Sequence, residues 1–186
     1  MDRSVLRLSL AAACLALAAG VILASFWVAT KNFAIADFQK TPKARQVVGA
    51  IPGDEAQTMA ARWFASESNR ALFPAVAVAQ IVGAAAAALL GGGALAGRAH
   101  EKLARRLLLL AVALAVALAP LVPWMIARGR ELDFVPRAGG SPPELRTFMM
   151  WHGIYSAADL LLLLVALALI PLLSRAASLP RSGVRP

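Results

Sequence analysis

Asp159 is the residue in this chain best placed for chemistry. It is a carboxylate inside a run of leucine and alanine, Gly153–Leu173, and a charge at the centre of a bilayer costs about 3 kcal/mol. His152, Tyr155 and Ser156 precede it by seven, four and three residues, so the four side chains share one face of a helix. Gln80 lies at a matching depth in another apolar run, counted from the same surface, which puts a Gln80–Asp159 hydrogen bond within reach. Two readings of this group stand. One is a polar pocket, open outward, for a proton, an ion or a small ligand. The other is polar glue between helices, with the protonation state of Asp159 left open.

Other chemistry finds little support. Met149, Met150 and His152 sit together, with Met125 and Met59 on the same side, and thioether and imidazole ligands suit Cu(I). No spacing among them is diagnostic, so no metal is assigned. His100 and His152 fall on opposite sides, so one haem cannot bridge them. The lone Cys14 excludes an intramolecular disulfide and a cysteine zinc cluster. There is no phosphate-binding loop, no HExxH and no serine nucleophile elbow; the Gly91-Gly92-Gly93 run lacks the lysine a phosphate loop needs. Glu67 with Arg70, beside Asn69, reads as an i,i+3 ion pair. No catalytic residue and no cofactor is expected.

The elements that must carry these residues follow from composition. The chain has 186 residues, 60% hydrophobic and 16% charged, with mean hydropathy +0.69. A soluble chain is usually nearer half apolar and a quarter charged. Four apolar stretches, Leu8–Thr30, Ala71–Leu95, Leu107–Ala127 and Gly153–Leu173, are each long enough to cross a hydrocarbon core of about 30 Å. In lipid the backbone must satisfy its own hydrogen bonds, so each is expected to be a helix. The fold class is all-α, an integral membrane four-helix bundle in one domain over residues 1–173. The alternative is a buried bundle of a soluble protein, whose helices are rarely this long and this poor in charge. A second alternative concerns the first stretch: Arg3 and Arg7 with Ala16-Leu17-Ala18 resemble a signal peptide and its cleavage site, but the apolar run continues to Trp27.

Between the first two stretches lies the polar segment Lys31–Arg70, whose start, Lys31–Arg45, reads as basic and irregular. Ile51-Pro52-Gly53-Asp54-Glu55 reads as a turn into a helix, with two acids at its positive end. Met59, Trp63 and Phe64 then cluster at helical spacing, which predicts a short amphipathic helix over Asp54–Arg70 lying on the membrane or the bundle. It runs almost directly into the second span, with Pro74 as a kink or a helix start. The second connection, Gly97–Arg106, is short and basic. The third, Arg128–His152, holds Gly139-Gly140-Ser141-Pro142-Pro143, a loop signal. The basic tail, 174–186, is expected to be disordered.

The net charge of +9 does not signal nucleic acid, because the cations flank the apolar stretches, where lipid headgroups are the partner. With four spans both termini share a side. That side holds nine cations in short segments, against ten spread through longer loops on the other, which predicts cytoplasmic termini. Arginine outnumbers lysine fifteen to four in an alanine-rich chain, a composition that suggests a GC-rich bacterium and its inner membrane. All twelve aromatic residues fall on the opposite side, which predicts a loop-built, non-cytoplasmic cap where any specific activity resides. For packing, Ala12, Ala16, Gly20 and Ala24 in the first span, and Ala79, Gly83, Ala87 and Gly91 in the second, each repeat every four residues. Two such smooth ridges predict that these helices pack together.

The segment Leu145-Arg146-Thr147-Phe148-Met149-Met150-Trp151-His152-Gly153-Ile154-Tyr155-Ser156, followed by Ala157-Ala158-Asp159-Leu160, resembles the last helix of the transmembrane-protein-205-like family of small four-helix membrane proteins. Phe26-Trp27-Val28 and Leu72-Phe73-Pro74 are similar to that family's helix ends. The family carries an asparagine near the position of Asp159 and has a shorter first loop. The resemblance implies the four-span topology and marks His152, Gly153 and Asp159 as positions of interest, without implying an activity. The expectation is a non-enzymatic membrane protein, a structural component or subunit of a complex or a homo-oligomer. The alternative is a small transporter or ion-binding protein using the polar stripe of the fourth helix.

Overall fold

A computed structural model describes residues 2–36, 46, 49–98, 100–134 and 143–178. Those residues are nearly all helical, and no strand occurs among them. The helices are α1 (Arg3–Ala36), α2 (Asp54–Ala94), α3 (Glu101–Leu118), α4 (Leu121–Leu132) and α5 (Pro143–Ser178). Ala119 and Pro120 keep helical dihedrals, so α3 and α4 form one rod interrupted where proline withholds a donor. Counting that rod once, four helices are long and apolar enough to cross a membrane.

Local chemistry sets the helix ends. The Asp2 carboxylate accepts from the Ser4 N–H at 2.9 Å and from its hydroxyl at 2.7 Å, capping α1. Gly53, at φ 91°, turns the chain into α2 just ahead of Asp54 and Glu55. At the α2–α3 turn the Gly97 N–H donates to Glu101 Oε2 at 2.7 Å.

The described helices bury many small side chains and expose many large apolar ones. Half of the buried apolar residues are alanines, whereas Leu17 and Leu89 are 73% and 84% exposed. Small residues inside allow helices to approach closely, and the leucine-rich exterior is of the kind that suits an apolar surrounding. α1 packs on α2 and α5, and α3 packs on the same two. Each helix is antiparallel to the two it packs on. α2 and α5 therefore face each other diagonally across the bundle axis.

One pole of the bundle is fastened by Arg98. Its buried guanidinium donates to the Ser4 hydroxyl at 2.8 Å and to the Ala176 carbonyl, and it lies 3.7 Å from Asp2. The start of α1, the α2–α3 turn and the end of α5 thus meet at one end. The described aromatic residues gather toward the other end.

The structure revises several expectations. α1 and α2 pack together, and Gly83, Ala87 and Gly91 of α2 are buried, but of the expected α1 ridge only Ala12 is buried. Ala16, Gly20 and Ala24 are exposed, and a Cβ on Gly20 would meet nothing within 4 Å. A Cβ on Gly83 would instead lie 2.8 Å from Ala18 Cβ and 3.2 Å from the Cys14 carbonyl oxygen. The reason is volume: Leu8, Leu15 and Ile22, spaced by seven, fill the core, and their inward direction fixes the rotation of α1. Asp54–Arg70 is not a separate helix lying flat. It continues through Pro74 into one helix about 60 Å long, about twice the length needed to cross a hydrocarbon core. Lys31–Ala36 is helical, as are 143–152 and the first five residues of the expected tail. The expectations for residues 37–45, 139–142 and 179–186 lie outside the described residues.

Candidate functional site

Phe148, His152, Tyr155 and Asp159 occupy successive turns on one face of α5. Gln80 comes from α2, across the diagonal. Its Nε2 donates to Asp159 Oδ1 at 2.5 Å, and the two residues are 1% and 4% exposed. Gln80 Oε1 is buried and has no hydrogen-bond partner among the described residues. Outward of this pair, Tyr155 packs with Ala77, Leu118, Val122 and Met125. Inward, Ala84, Leu108, Leu162 and Leu163 belong to a continuous apolar core. The pair is therefore enclosed on both sides along the bundle axis. Ser156 is half-buried and makes no hydrogen bond to it among the described residues. His152 is half-buried two turns outward, its ring nearly parallel to that of Phe148 with centroids 6.0 Å apart.

Above the Tyr155 layer a cleft of about 620 Å³ opens between α1, α2, α4 and α5. His152, Phe73 and Met125 line its inner part, by the register that pairs Gln80 with Asp159. Its rim is held by polar ties. Asn32 Nδ2 of α1 donates to Asn69 Oδ1 of α2 at 2.7 Å. The Arg70 guanidinium grips the Asp133 carboxylate with two hydrogen bonds, of 2.5 and 2.6 Å, and both side chains are buried. It lies flat against α4 because Gly129 has no side chain; a Cβ there would come within 2.8 Å of it. Glu67 accepts from Arg70 at 3.1 Å and from Arg130. Arg130, and then Arg70, hold the Glu67 carboxyl below the usual carboxylate range. Glu67 precedes the apolar stretch Ala71–Leu95 of α2 and lies outside it.

Of the residues singled out in the sequence, the structure joins Gln80 to Asp159, sets Tyr155 over them and leaves His152 to the cleft. Arg62, Ser66 and Asn69 also line the cleft, on one face of α2 at offsets of zero, four and seven. That spacing was readable. The Arg70–Asp133 tie was not, since Asp133 follows α4 at a sequence distance of 63 residues. Among the described residues no group of three or more His, Cys, Asp or Glu side chains is arranged to hold a metal. No family model, no curated protein and no solved structure matches the chain.

Proposed function

We propose that this chain is a multi-pass integral membrane protein without enzymatic activity, a structural component or subunit of a membrane complex. In this reading it belongs to the transmembrane-protein-205-like family and sits in a bacterial inner membrane with both termini in the cytoplasm. The aromatic cap then faces away from the cytoplasm. The observation that supports the reading is how the buried polar side chains are used. Ser4, Asn69, Arg70, Gln80, Arg98 and Asp159 are all buried, and each is hydrogen-bonded to another element of the bundle. Polar groups engaged as ties between rods are what a scaffold needs. Asp159→Asn tests it. A scaffold keeps its stability and its complex when the carboxylate becomes an amide, because the Gln80 Nε2 bond is retained.

A second reading, a small proton- or cation-coupled protein, draws support from one atom. Gln80 Oε1 is a buried acceptor without a donor, beside a buried carboxylate. Here Asp159→Asn abolishes coupled flux. Vesicles loaded with a pH-sensitive dye and driven by a potassium diffusion potential separate the two: equal proton flux in wild type and variant sinks the coupled reading.

A further inference from the structure

We infer that the outer cleft binds an amphiphile with an anionic head, its oxyanion against α2 and its apolar body against α5. The register between the two walls follows from the Gln80–Asp159 bond: Asn69 and Phe148 each lie eleven residues ahead of their member of the pair, so they stand at one level. At and above that level α2 presents Arg62, Ser66 and Asn69 to the cleft, while α5 presents Leu145, Phe148 and Met149. One wall is polar and the facing wall is apolar.

The polar wall has donors to spare. Arg70 is engaged by Asp133, the one carboxylate lining the cleft among the described residues, so that pair contributes no net charge. Arg62 and Ser66 make no side-chain hydrogen bond or ion pair among the described residues. Asn69 is 4% exposed, and its Oδ1 is held by the Asn32 amide, which leaves its Nδ2 as the free end. A guanidinium, a hydroxyl and an amide N–H on one helix face, with no unpaired carboxylate opposite, select an oxyanion over a cation.

Size and position fit an amphiphile better than a bare anion. From Arg62 to Phe73 the α2 wall spans about 16 Å, and the cleft volume of about 620 Å³ is that of a pocket for a mid-sized organic ligand. The polar residues stand outermost. Phe73 and Met125 lie toward the bilayer, so a tail points inward from a head at the surface.

The test uses the full chain in nanodiscs of zwitterionic phosphatidylcholine, titrated with dodecyl phosphate and compared with empty discs. Saturable binding is expected, weakened about tenfold in Arg62→Gln and lost in Leu145→Trp, which fills the cleft without changing charge. Arg62 is exposed, so its variant leaves the packing intact. Inorganic phosphate is expected to bind far more weakly than the alkyl ester, and dodecyltrimethylammonium not to saturate. Equal affinity for inorganic phosphate removes the apolar body from the proposal. Uptake no greater than by empty discs, equal binding of the cation, or no effect of Arg62→Gln overturns it. Asp159→Asn is expected to leave this binding unchanged, so failure here is separable from failure of the scaffold reading.

Discussion

Gln80 and Asp159, 79 residues apart in the chain, meet across the diagonal of the bundle with 2.5 Å between amide nitrogen and carboxylate oxygen. Because α2 and α5 do not pack closely on each other, this contact links the two helices that their neighbours hold apart. Asp159→Asn is expected to change stability in detergent by less than about 1 kcal/mol, since a donor–acceptor pair survives. Asp159→Leu strands the Gln80 amide and is expected to cost about 1–2 kcal/mol. Thermal unfolding followed by circular dichroism distinguishes the two; equal loss in both variants contradicts the pairing.

Two glycines on facing helices separate the ridge seen in the structure from the one expected. Gly83→Ala places a methyl against Ala18 and the Cys14 carbonyl, and is expected to destabilise by about 2 kcal/mol. Gly20→Ala enters open space and is expected to be neutral or slightly stabilising through helix propensity. The reverse order of melting temperatures refutes the assigned α1 rotation.

Arg70 and Arg130 both touch Glu67, yet they differ in surroundings. Arg70→Ala leaves the buried Asp133 carboxylate alone and is expected to cost about 3 kcal/mol. Arg130→Ala, on an exposed side chain, is expected to have little effect. Urea or heat titration of the two variants provides the measurement.

The carboxyl of Glu67 also predicts an acid limb. Its folded-state value is lowered, so its stabilising contribution is complete above the ordinary carboxylate value of 4.5 and is lost as pH falls through the folded value. Glu67→Gln is expected to lower the melting temperature slightly at neutral pH, where the carboxylate contributes, and to flatten its fall below 4.5, so that variant and wild type converge in acid. An unchanged acid slope in the variant counts against the cluster.

The Arg98 contacts predict topology. In a Cys14→Ser background, single cysteines replacing Arg3 and Ser178 are expected to react with an impermeant maleimide from the same side. A cysteine replacing Thr147 is expected to react from the other. Labelling of Arg3 and Thr147 positions from one side contradicts the four-span arrangement.

The four rods were legible because long, charge-poor apolar runs can be counted directly along the chain. Gln80 and Asp159 were legible because depth along a helix is a matter of counting residues from a common surface. The face of α1 was not. In an alanine-rich helix several four-residue ladders coexist, and the choice among them rests with Leu8, Leu15 and Ile22, whose bulk must point inward. Asp133 escaped for a different reason. Glu67 already offered Arg70 an i,i+3 partner, and nothing local signals that a carboxylate beyond α4 returns to compete for it.

Arg98 has a bearing on biogenesis. The side chain that clasps residue 4 also clasps residue 176, so the clasp cannot be completed until α5 has been synthesised. A nascent chain halted before α5 carries the Arg98 guanidinium without its Ala176 acceptor. Synthesis of α5 is thus the step that fastens α1, the α2–α3 turn and α5 together at one pole.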